Sequence, residues 1–404
     1  MSKFVLKVID LKSLSHLKNM PGSSSNETTR ILPGRQLESA GALVERAFPR
    51  PRDEAVATKA DNEPNHIGLQ RSDVWKRSIS RRRALMKKGS ESRFSLAHHG
   101  LASEARSTMS LQDKIEAAIS LRSDLRTPQT DVRRLVNGAG DGLDGVIIDD
   151  FAGRWLMSIK EGGHAPKLPC ELGYRSLYTK TLSKNEKGPP SYLEGEELTA
   201  RFTVREHALS YWIDFQSGFS QGLFLDQRMN RTRLRELCAG KTVLNTFAYT
   251  CSFGVAAVAA GAKAVNLDLS RNYLEWGQEN YRLNGLEPEK ADFIYGDVFD
   301  WLGRFTKRSR RFDIVVLDPP TFSRNRTSGV FRAEEDYGEL LERAFRVAAP
   351  DGILVCCLNT HQVSTAHFRD ILRNRLPSPV DLRPMPMPQD FPGSDYLKSF
   401  WVFL

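Results

Sequence analysis

Between residues 242 and 322 the sequence alternates short apolar runs with helix-like stretches, and this alternation restricts the possible folds more than any other feature. The apolar runs have the length and the β-branched content of buried strands. Strands that alternate with helices form a parallel sheet with helices on its faces. We predict strands at 242–250, 264–267, 292–295 and 312–317, with helices at 253–261 and 272–284 between them.

Each of these predicted strands ends in or next to a polar side chain: Asn245, Asp268, Asp297 and Asp318. In a parallel sheet of this kind, ligands bind beyond the carboxyl ends of the strands. One aspartate alone at such a place would be read as a turn or cap residue. The ordered set of four predicts a binding site at this edge of the sheet.

The residues after the first strand argue against a dinucleotide site. Such a site needs Gly-x-Gly-x-x-Gly for close approach of a pyrophosphate, whereas residues 245–254 contain no glycine pair. Asp268 offers two acceptor oxygens to the hydroxyls of a ribose, and Asp297 suits an adenine amino group. Adenosine held by two carboxylates without phosphates indicates S-adenosyl-L-methionine as the cofactor.

The run Asp318-Pro-Pro-Thr-Phe322 carries the predicted chemistry. Its prolines remove two backbone donors and leave carbonyl oxygens exposed as acceptors. Such acceptors suit a nitrogen nucleophile, whose N–H they hold and whose lone pair they direct, because in-line displacement needs mainly proximity and orientation. Phe322 is expected to stack on a base. The alternative is a Pro-Pro loop that only caps the strand.

Composition limits the class of protein. The 404-residue chain has a formal net charge of +9, which favours an anionic partner such as nucleic acid. No apolar run approaches the ~20 residues that span a membrane, so we expect a cytoplasmic protein, or a mitochondrial or plastid matrix protein if the source is eukaryotic. The five cysteines lack paired-ligand spacing and no His-Glu-x-x-His occurs, so no metal site is predicted. No oligomeric state is predicted.

Changes in composition divide the chain into three regions. Residues 1–109 are polar and basic, and we expect them to be largely disordered. Their cluster of Lys and Arg at 71–93 is either an arm for a phosphate backbone or a solvated linker or sorting signal. Residues 110–210 predict a small α+β domain, and residues 211–404 predict the cofactor-binding domain.

The cofactor-binding domain is expected to begin and end with hairpins. The first pairs 210–214 with 222–225 and leads into a helix that Asp226 caps. The last, 380–385 with 398–404, closes the parallel sheet with an antiparallel pair. A sheet finished in this way suits a Rossmann-like methyltransferase better than a dehydrogenase.

Several of these motifs together resemble the class I methyltransferases that modify bacterial 23S ribosomal RNA. The resemblance covers roughly residue 110 to the C-terminus. Its motifs are Gly140-Asp-Gly-Leu-Asp-Gly145, Gly222-Leu-Phe-Leu-Asp-Gln-Arg228, Val243-Leu-Asn-Thr-Phe-Ala-Tyr-Thr250, Asp268 to Trp276, Asn280 to Gly285, Asp297 and Asp318-Pro-Pro-Thr-Phe-Ser323.

The resemblance and the strand-end pattern together define a predicted site. The cofactor-binding residues are expected to be Phe224, Asp226, Arg228, Asn245, Phe247, Tyr249, Asp268, Leu269, Ser270, Asp297 and Val298. The catalytic residues are expected to be Asp318, Pro319, Pro320, Phe322 and Asn359. Contacts to RNA phosphates are expected from Arg324, Arg326, Arg332 and the cluster at 304–311.

Two branches of this family differ just after the fifth strand. One forms 5-methylcytosine and has a nucleophilic cysteine there, and the other methylates a guanine nitrogen and has asparagine. Here the position is Asn359, while Cys356 and Cys357 fall inside the strand. The resemblance therefore favours methylation of guanine in large-subunit rRNA, with 5-methylcytosine as the alternative.

The sequence departs from the family at three places. Cys251 replaces a usual glycine, which could tighten the methionine pocket; the RNA-binding PUA module is not evident; and the Pro-rich stretch 377–392 has no counterpart. Two other functions stay open: an RNA-binding or ribosome-assembly protein without turnover, and a small-molecule methyltransferase.

Overall fold

The computed structural model describes residues 8–9, 109–183, 188–218, 220–325, 329–377 and 379–404. The predicted basic arm at 71–93, Arg326 and the side chain of Arg324 lie outside the described part of the chain. Among the described residues, no helix is both long and apolar enough to cross a membrane.

Within these ranges the chain alternates strands and helices from residue 242 onward, as predicted. The strands are β1 (Val8–Ile9), β2 (Val132–Asn137), β3 (Val146–Phe151), β4 (Arg154–Lys160), β5 (Ser176–Leu182), β6 (Ser191–Gly195), β7 (Phe202–Glu206), β8 (Leu209–Ile213), β9 (Thr242–Thr246), β10 (Lys263–Asp268), β11 (Phe293–Tyr295), β12 (Phe312–Leu317), β13 (Phe322–Asn325), β14 (Gly329–Arg332), β15 (Ala348–Asn359), β16 (Asp381–Met385) and β17 (Leu397–Phe403). The helices are α1 (Leu111–Ser120), α2 (Arg228–Leu237), α3 (Ser252–Ala259), α4 (Arg271–Leu283), α5 (Val298–Lys307), α6 (Ala333–Phe345) and α7 (Thr365–Arg375).

The central sheet has the order β11-β10-β9-β12-β15-β17-β16 in the described part of the chain. The first five of these strands are parallel, and β17 runs antiparallel to both β15 and β16. This confirms the predicted α/β fold with an antiparallel C-terminal pair. The strand order reverses direction between β9 and β12, which is where a doubly wound sheet opens a crevice for ligands.

Alternate residues of the strands divide the core into two layers. Val243 of β9 packs with the helices α2, α3 and α4, whereas its neighbour Leu244 packs with α5, α6 and α7. The two faces follow from the period-2 geometry of a strand that is buried on both sides. The carboxyl ends of β9, β10, β11 and β12 consequently meet at one edge of the sheet.

A second sheet, β2-β3-β4-β5-β6, precedes the central one. Helix α1 packs its apolar face on this sheet through Ile115 and Ala118. Ser110 caps the helix, because its side chain accepts from the Asp113 N–H while the Asp113 carboxylate accepts from the Ser110 N–H. These elements agree with the small α+β region predicted from residue 110.

The hairpin predicted from 210–214 and 222–225 is wrong. Strand β8 pairs with β7 instead, and residues 222–224 form no strand. The β7–β8 hairpin is hydrogen-bonded to α4. The Asn284 Oδ1 accepts from the Ser210 N–H at 2.8 Å, and the Asn280 Oδ1 accepts from the Trp212 N–H at 2.9 Å. Since β8 crosses residue 210, we propose that the catalytic region begins before β7.

The predicted cap of α2 is also corrected. Asp226 is not a helix cap: it lies inside a 3₁₀ turn, Leu225–Gln227, and Gln227 precedes α2.

The segment that follows the Asp318 loop contains the antiparallel strands β13 and β14, and β13 also pairs with the two-residue strand β1.

The loop after β9 has an unusual backbone. Phe247, Tyr249 and Cys251 all have positive φ, of 52°, 50° and 62°. Such conformations are costly for side chains other than glycine and persist where neighbouring structure fixes them. The Cys251 thiol is fully buried and faces α4, where a Cβ on Gly277 would lie 2.3 Å from its Sγ. Cys251 therefore fits against Gly277, and it does not line the cavity beside Tyr249.

A buried ion network joins the second sheet to the catalytic region. Glu206 binds Arg231 at 2.7 Å and Arg228 at 3.3 Å, and Arg228 also binds Asp390 at 2.9 Å. The Asp390 carboxylate, which has no exposed surface, further accepts from the Arg134 N–H of β2 at 2.8 Å. Burial would raise the pKa of Glu206, but Arg231 and Arg228 lower it overall. The carboxylate is therefore charged in this network.

The fit of Cys251 against Gly277 can be tested by a double-mutant cycle. We expect Gly277→Ala to lower the free energy of unfolding by about 1–3 kcal/mol, because the added methyl group meets the thiol. The loss should shrink in a Cys251→Gly background. Urea unfolding followed by circular dichroism measures both values.

The matched control is Gly303→Ala in α5, where an added Cβ meets no atom within 4 Å. That variant should be neutral or slightly more stable, because alanine favours a helix over glycine. Equal losses for Gly277→Ala in the two backgrounds would contradict the proposed contact.

The ion network gives a second stability prediction. We expect Asp390→Ala to lower the free energy of unfolding by about 3–5 kcal/mol, because it leaves the buried Arg228 with only one of its two carboxylate partners and the Arg134 N–H without its acceptor. The control Asp381→Ala breaks an exposed pair with Arg383 and should cost about 0–1 kcal/mol. Denaturant unfolding of both variants checks this, and a loss for Asp390→Ala no larger than that of the control would show that the network adds no stability.

Candidate active site

The Asp268 carboxylate fixes the loop that follows β9. Its Oδ2 accepts from the Tyr249 N–H and its Oδ1 from the Ser270 N–H, both at 2.8 Å. Ser270 in turn caps α4 by accepting from the Tyr273 N–H. The structure thus brings Asp268, Leu269 and Ser270 next to the loop of Phe247 and Tyr249, as expected for neighbours of one ligand.

Asp297 follows β11 at the same edge and caps α5. Its Oδ1 accepts from the Phe299 N–H at 2.9 Å and the Asp300 N–H at 3.2 Å. The preceding Gly296 is required, because a Cβ there would lie 2.4 Å from the indole nitrogen of Trp301. Val298, the first residue of α5, is buried. Asp297 therefore caps α5. Its predicted contact with an adenine amino group stays a prediction.

A second wall faces this loop. The rings of Phe224 and Tyr249 lie 5.2 Å apart, and the Thr250 hydroxyl donates to the Gly222 carbonyl at 2.6 Å. The Tyr396 hydroxyl donates to Asp226 Oδ2 at 3.1 Å, a contact that the sequence did not predict. The structure therefore brings Phe224, Asp226 and Tyr249 together.

Two predicted cofactor residues have other partners. The Arg228 guanidinium binds Glu206 and Asp390 and donates to the Val132 carbonyl, so it holds the two sheets together and does not close over a ligand. The Asn245 side chain lies in the layer beneath the loop, where its Nδ2 donates to Asn266 Oδ1 at 2.9 Å. We reassign both as supporting residues.

The Asp318-Pro-Pro loop lies beside the end of β15. Asp318, Pro319 and Pro320 are all buried, so the predicted acceptor carbonyls are enclosed rather than on an open surface. The Thr321 hydroxyl donates to the Asn359 carbonyl at 2.7 Å and joins the two ends. The side-chain Oδ1 of Asn359 is buried and has no hydrogen-bond partner among the described residues. A buried acceptor of this kind requires a partner, and a ligand donor is one group that could supply it.

Phe322 starts the hairpin of β13 and β14 and is half-buried. From the second strand of this hairpin, the Phe331 ring packs on Phe247 at 6.1 Å and on Phe299 at 5.7 Å. The hairpin is thereby connected to the loop after β9. Sequence analysis did not identify Phe331, which lies next to Arg332 among the arginines predicted to contact phosphates.

The described arginines among those predicted to hold phosphates lie in two separate places. Arg332 pairs with Glu335 at 3.6 Å near the Asp318 loop. The cluster at 304–311 lies at the end of α5 and before the start of β12, and the Arg311 guanidinium donates to the Ala348 carbonyl. Because β12 is six residues long, this cluster lies about 20 Å from the carboxyl edge. It is therefore distant from the predicted cofactor and catalytic residues, and its contact with RNA phosphates stays a prediction.

The cysteines of β15 are unsuited to nucleophilic chemistry. Cys356 and Cys357 have no exposed surface. Burial raises the pKa of Cys356 to about 12 and also raises that of Cys357, so both thiols are protonated near neutral pH. Both side chains belong to the hydrophobic core, one on each face of the sheet.

The edge of the sheet fits an adenosine-containing cofactor. Two carboxylates, the loop N–H groups and aromatic side chains converge there, and the unpartnered Asn359 Oδ1 lies beside the Asp318 loop. These groups could hold a ribose, an adenine and a neighbouring donor. A cofactor without a diphosphate does not require cationic side chains at this edge.

Comparisons with known proteins agree with this geometry. Residues 179–401 match the family model of S-adenosylmethionine-dependent methyltransferases. A protein of Bacillus subtilis (strain 168), provisionally named ribosomal RNA large subunit methyltransferase YwbD, is 30% identical over 312 residues, which cover 70% of this chain and 78% of that protein. Ribosomal RNA large subunit methyltransferase K of Neisseria meningitidis serogroup B is 33% identical over 210 residues, but these are 52% of this chain and 58% of that protein.

A solved structure also matches the chain. SMU.776, provisionally described as a methyltransferase and complexed with SAH, has a TM-score of 0.63 and 25% identity, over 74% of this chain and 83% of its own. The fold, the matched region and the relatives agree, and the chain belongs to the S-adenosylmethionine-dependent methyltransferase family.

Proposed function

We propose that the chain transfers a methyl group to a guanine nitrogen in large-subunit ribosomal RNA. Relatives named as large-subunit rRNA methyltransferases support the substrate class. The buried, unpartnered Oδ1 of Asn359 beside the Asp318 loop carries the proposal, because it offers an acceptor to the N–H of an incoming nitrogen. The compartment, expected to be the cytoplasm or an organelle matrix, stays a prediction.

The roles of the residues follow from their positions. S-adenosylmethionine, when bound, would supply a methyl group on its sulfonium sulfur, and a nucleophile would take this group by in-line displacement of the sulfur. Asp268 accepts from the ribose hydroxyls and keeps the loop of Phe247 and Tyr249 in place. Asn359 and the carbonyls of the Asp318-Pro-Pro loop hold the target N–H, so that its lone pair is directed at the methyl group. The protein contributes to methyl transfer mainly by orienting the target nitrogen in a buried site.

Formation of 5-methylcytosine, the alternative, needs a thiolate that can reach the ring. Cys356 and Cys357 are fully buried inside β15, and the raised pKa of both thiols opposes ionisation. The position that carries the nucleophilic cysteine in that branch is occupied here by Asn359, the last residue of β15, whose amide is no nucleophile. These observations favour guanine over cytosine as the target.

Identification of the product tests the proposal directly. Nucleosides from the rRNA of a deletion strain of the source organism should lack one N-methylguanosine found in the parent, as measured by mass spectrometry. Loss of 5-methylcytidine would support the alternative, and an unchanged set of methylated nucleosides would remove an rRNA target altogether.

Cofactor binding gives a prediction for Asp268. We expect Asp268→Asn to weaken binding of S-adenosylhomocysteine about 10- to 100-fold in calorimetry, because the neutral amide accepts fewer and weaker hydrogen bonds. Asp300→Asn, which changes an exposed carboxylate in the first turn of α5, is the control and should bind normally. Normal binding by Asp268→Asn would remove this residue from the cofactor site.

Asn359 is expected to contact the base that receives the methyl group and not the cofactor. Asn359→Ala should lower kcat for methyl transfer to rRNA about 10- to 100-fold, the effect of one lost hydrogen bond in a buried site. Binding of S-adenosylhomocysteine should stay within about twofold of wild type. If the variant retains full kcat, the nitrogen is held by other groups, and if it loses the cofactor instead, Asn359 belongs to the cofactor pocket.

A further inference from the structure

A cavity of about 300 Å³ lies where the second sheet faces the catalytic region. Phe224, Asp226 and Tyr249, which we place beside the cofactor, line one side of it. Arg134 of β2 and Lys180 of β5 line the other. The cavity therefore extends from the second sheet to the proposed cofactor wall.

Two cations of the cavity lining are paired with carboxylates that also line it. Arg134 binds Asp149 through two contacts, Nε to Oδ1 at 2.9 Å and Nη2 to Oδ2 at 3.2 Å. Lys160 lies 3.7 Å from Asp144. A phosphate would favour a lining with excess positive charge. This lining suits an uncharged ligand that carries both hydrogen-bond donors and acceptors.

The size and the apolar part of the lining point to a flat ligand. Ile147, Phe151 and Phe391 contribute apolar surface to the cavity. Its volume is at the lower end for small-molecule sites, which span roughly 300–1,000 Å³. One nucleobase fits such a space, whereas a stretch of nucleotides does not. Enzymes that modify a base extrude it from the stack into a pocket of this kind.

Lys180 is a hydrogen-bond donor in this lining. Its Nζ donates to the Gln221 Oε1 at 3.0 Å, which ties β5 to the segment that leads to Phe224. Burial lowers the pKa of Lys180 to about 8, while Asp149 opposes this shift and Arg134 adds to it. The ammonium is therefore charged at neutral pH and loses its proton under mildly alkaline conditions.

The cavity wall continues toward the residues that we propose to hold the target nitrogen. His361 lines the cavity and lies two residues after Asn359, whose carbonyl accepts from Thr321. Between them, the Thr360 N–H donates to the carbonyl of Tyr396 at 2.8 Å, and Tyr396 also lines the cavity. His361 and Tyr396 therefore connect the cavity to the segment that carries Asn359.

We propose that this cavity binds the target base once it has left the RNA stack, and that Lys180 donates a hydrogen bond to the ring carbonyl oxygen of that base. The inference rests on the proposed function. Guanine carries such a carbonyl, and adenine has an amino group in the equivalent place. Lys180 thus contributes to the choice of base, and the second sheet supplies part of the substrate site.

The test uses the full chain, rRNA from a deletion strain of the source organism and radiolabelled S-adenosylmethionine. Lys180→Met removes the donor, and Ile147→Trp fills the cavity. Both should lower kcat/KM for the RNA about 10- to 100-fold, with binding of S-adenosylhomocysteine within about twofold of wild type. Lys263→Met, which changes an exposed lysine at the start of β10, should leave both values unchanged.

The pH profile separates a donor from a structural residue. In the wild type, kcat/KM should fall as the pH rises through about 8, because deprotonation weakens Lys180 as a donor. In Lys180→Arg this fall should vanish, because the guanidinium keeps its charge. Arg134, Asp149 and Lys160 face the same side of the cavity, so Lys160→Met is measured too and should keep the fall.

The outcomes distinguish this inference from the proposed function. If the wild type methylates RNA and both cavity variants retain full kcat/KM, the inference is wrong and the function stands. If the variants lose S-adenosylhomocysteine to the same extent as activity, the cavity belongs to the cofactor and the inference is wrong. If the wild type methylates no RNA, the proposed function fails and the base site fails with it.

Discussion

The Asp268 carboxylate is the interaction on which the organisation of the site depends. It accepts backbone N–H groups from both the loop after β9 and the turn into α4, so one side chain fixes the ends of two neighbouring strands. The bond to the Tyr249 N–H is one of the contacts that hold this loop, in which Phe247, Tyr249 and Cys251 have positive φ values. The group proposed to recognise the ribose therefore also maintains the shape of the pocket, and cofactor affinity and loop order are linked.

The sheet and its functional edge could be predicted because their signals are local. Alternating strands and helices imply a parallel sheet, and a parallel sheet places the residues after its strands at one edge. Asp268, Asp297 and Asp318 could therefore be assigned to one site without any contact information. The same logic, applied to helix direction, would have placed the arginines at 304–311 at the opposite edge.

The pairing of β7 with β8 was missed for a physical reason. The two-residue turn between them is His207-Ala208, and both residues have positive φ, 49° and 67°. Turns of this type usually contain glycine or asparagine, which is the signal that sequence analysis uses. Here hydrogen bonds from neighbouring segments hold the turn, since the His207 N–H donates to Thr130 and the Ala208 N–H to the Gln129 carbonyl.

Side chains whose roles depend on distant partners could not be assigned either. Arg228 lies in a motif typical of the family, yet its partner Asp390 is 162 residues away in the sequence. Lys180 has no motif around it and enters the cavity lining only because β5 faces Gln221. Such roles arise from packing between regions, which local periodicity does not report.

The position of Asp390 also bears on the order in which the molecule can be completed during synthesis. Its carbonyl accepts from Arg122, 268 residues earlier, and its carboxylate binds β2 through the Arg134 N–H. The second sheet emerges from the ribosome long before these last partners exist, and domains form from the N-terminal end as the chain is made. A nascent chain can therefore assemble its second sheet while the cavity beside that sheet is still open. The cavity proposed for the base is complete only after Phe391 and Tyr396, which line it, have docked.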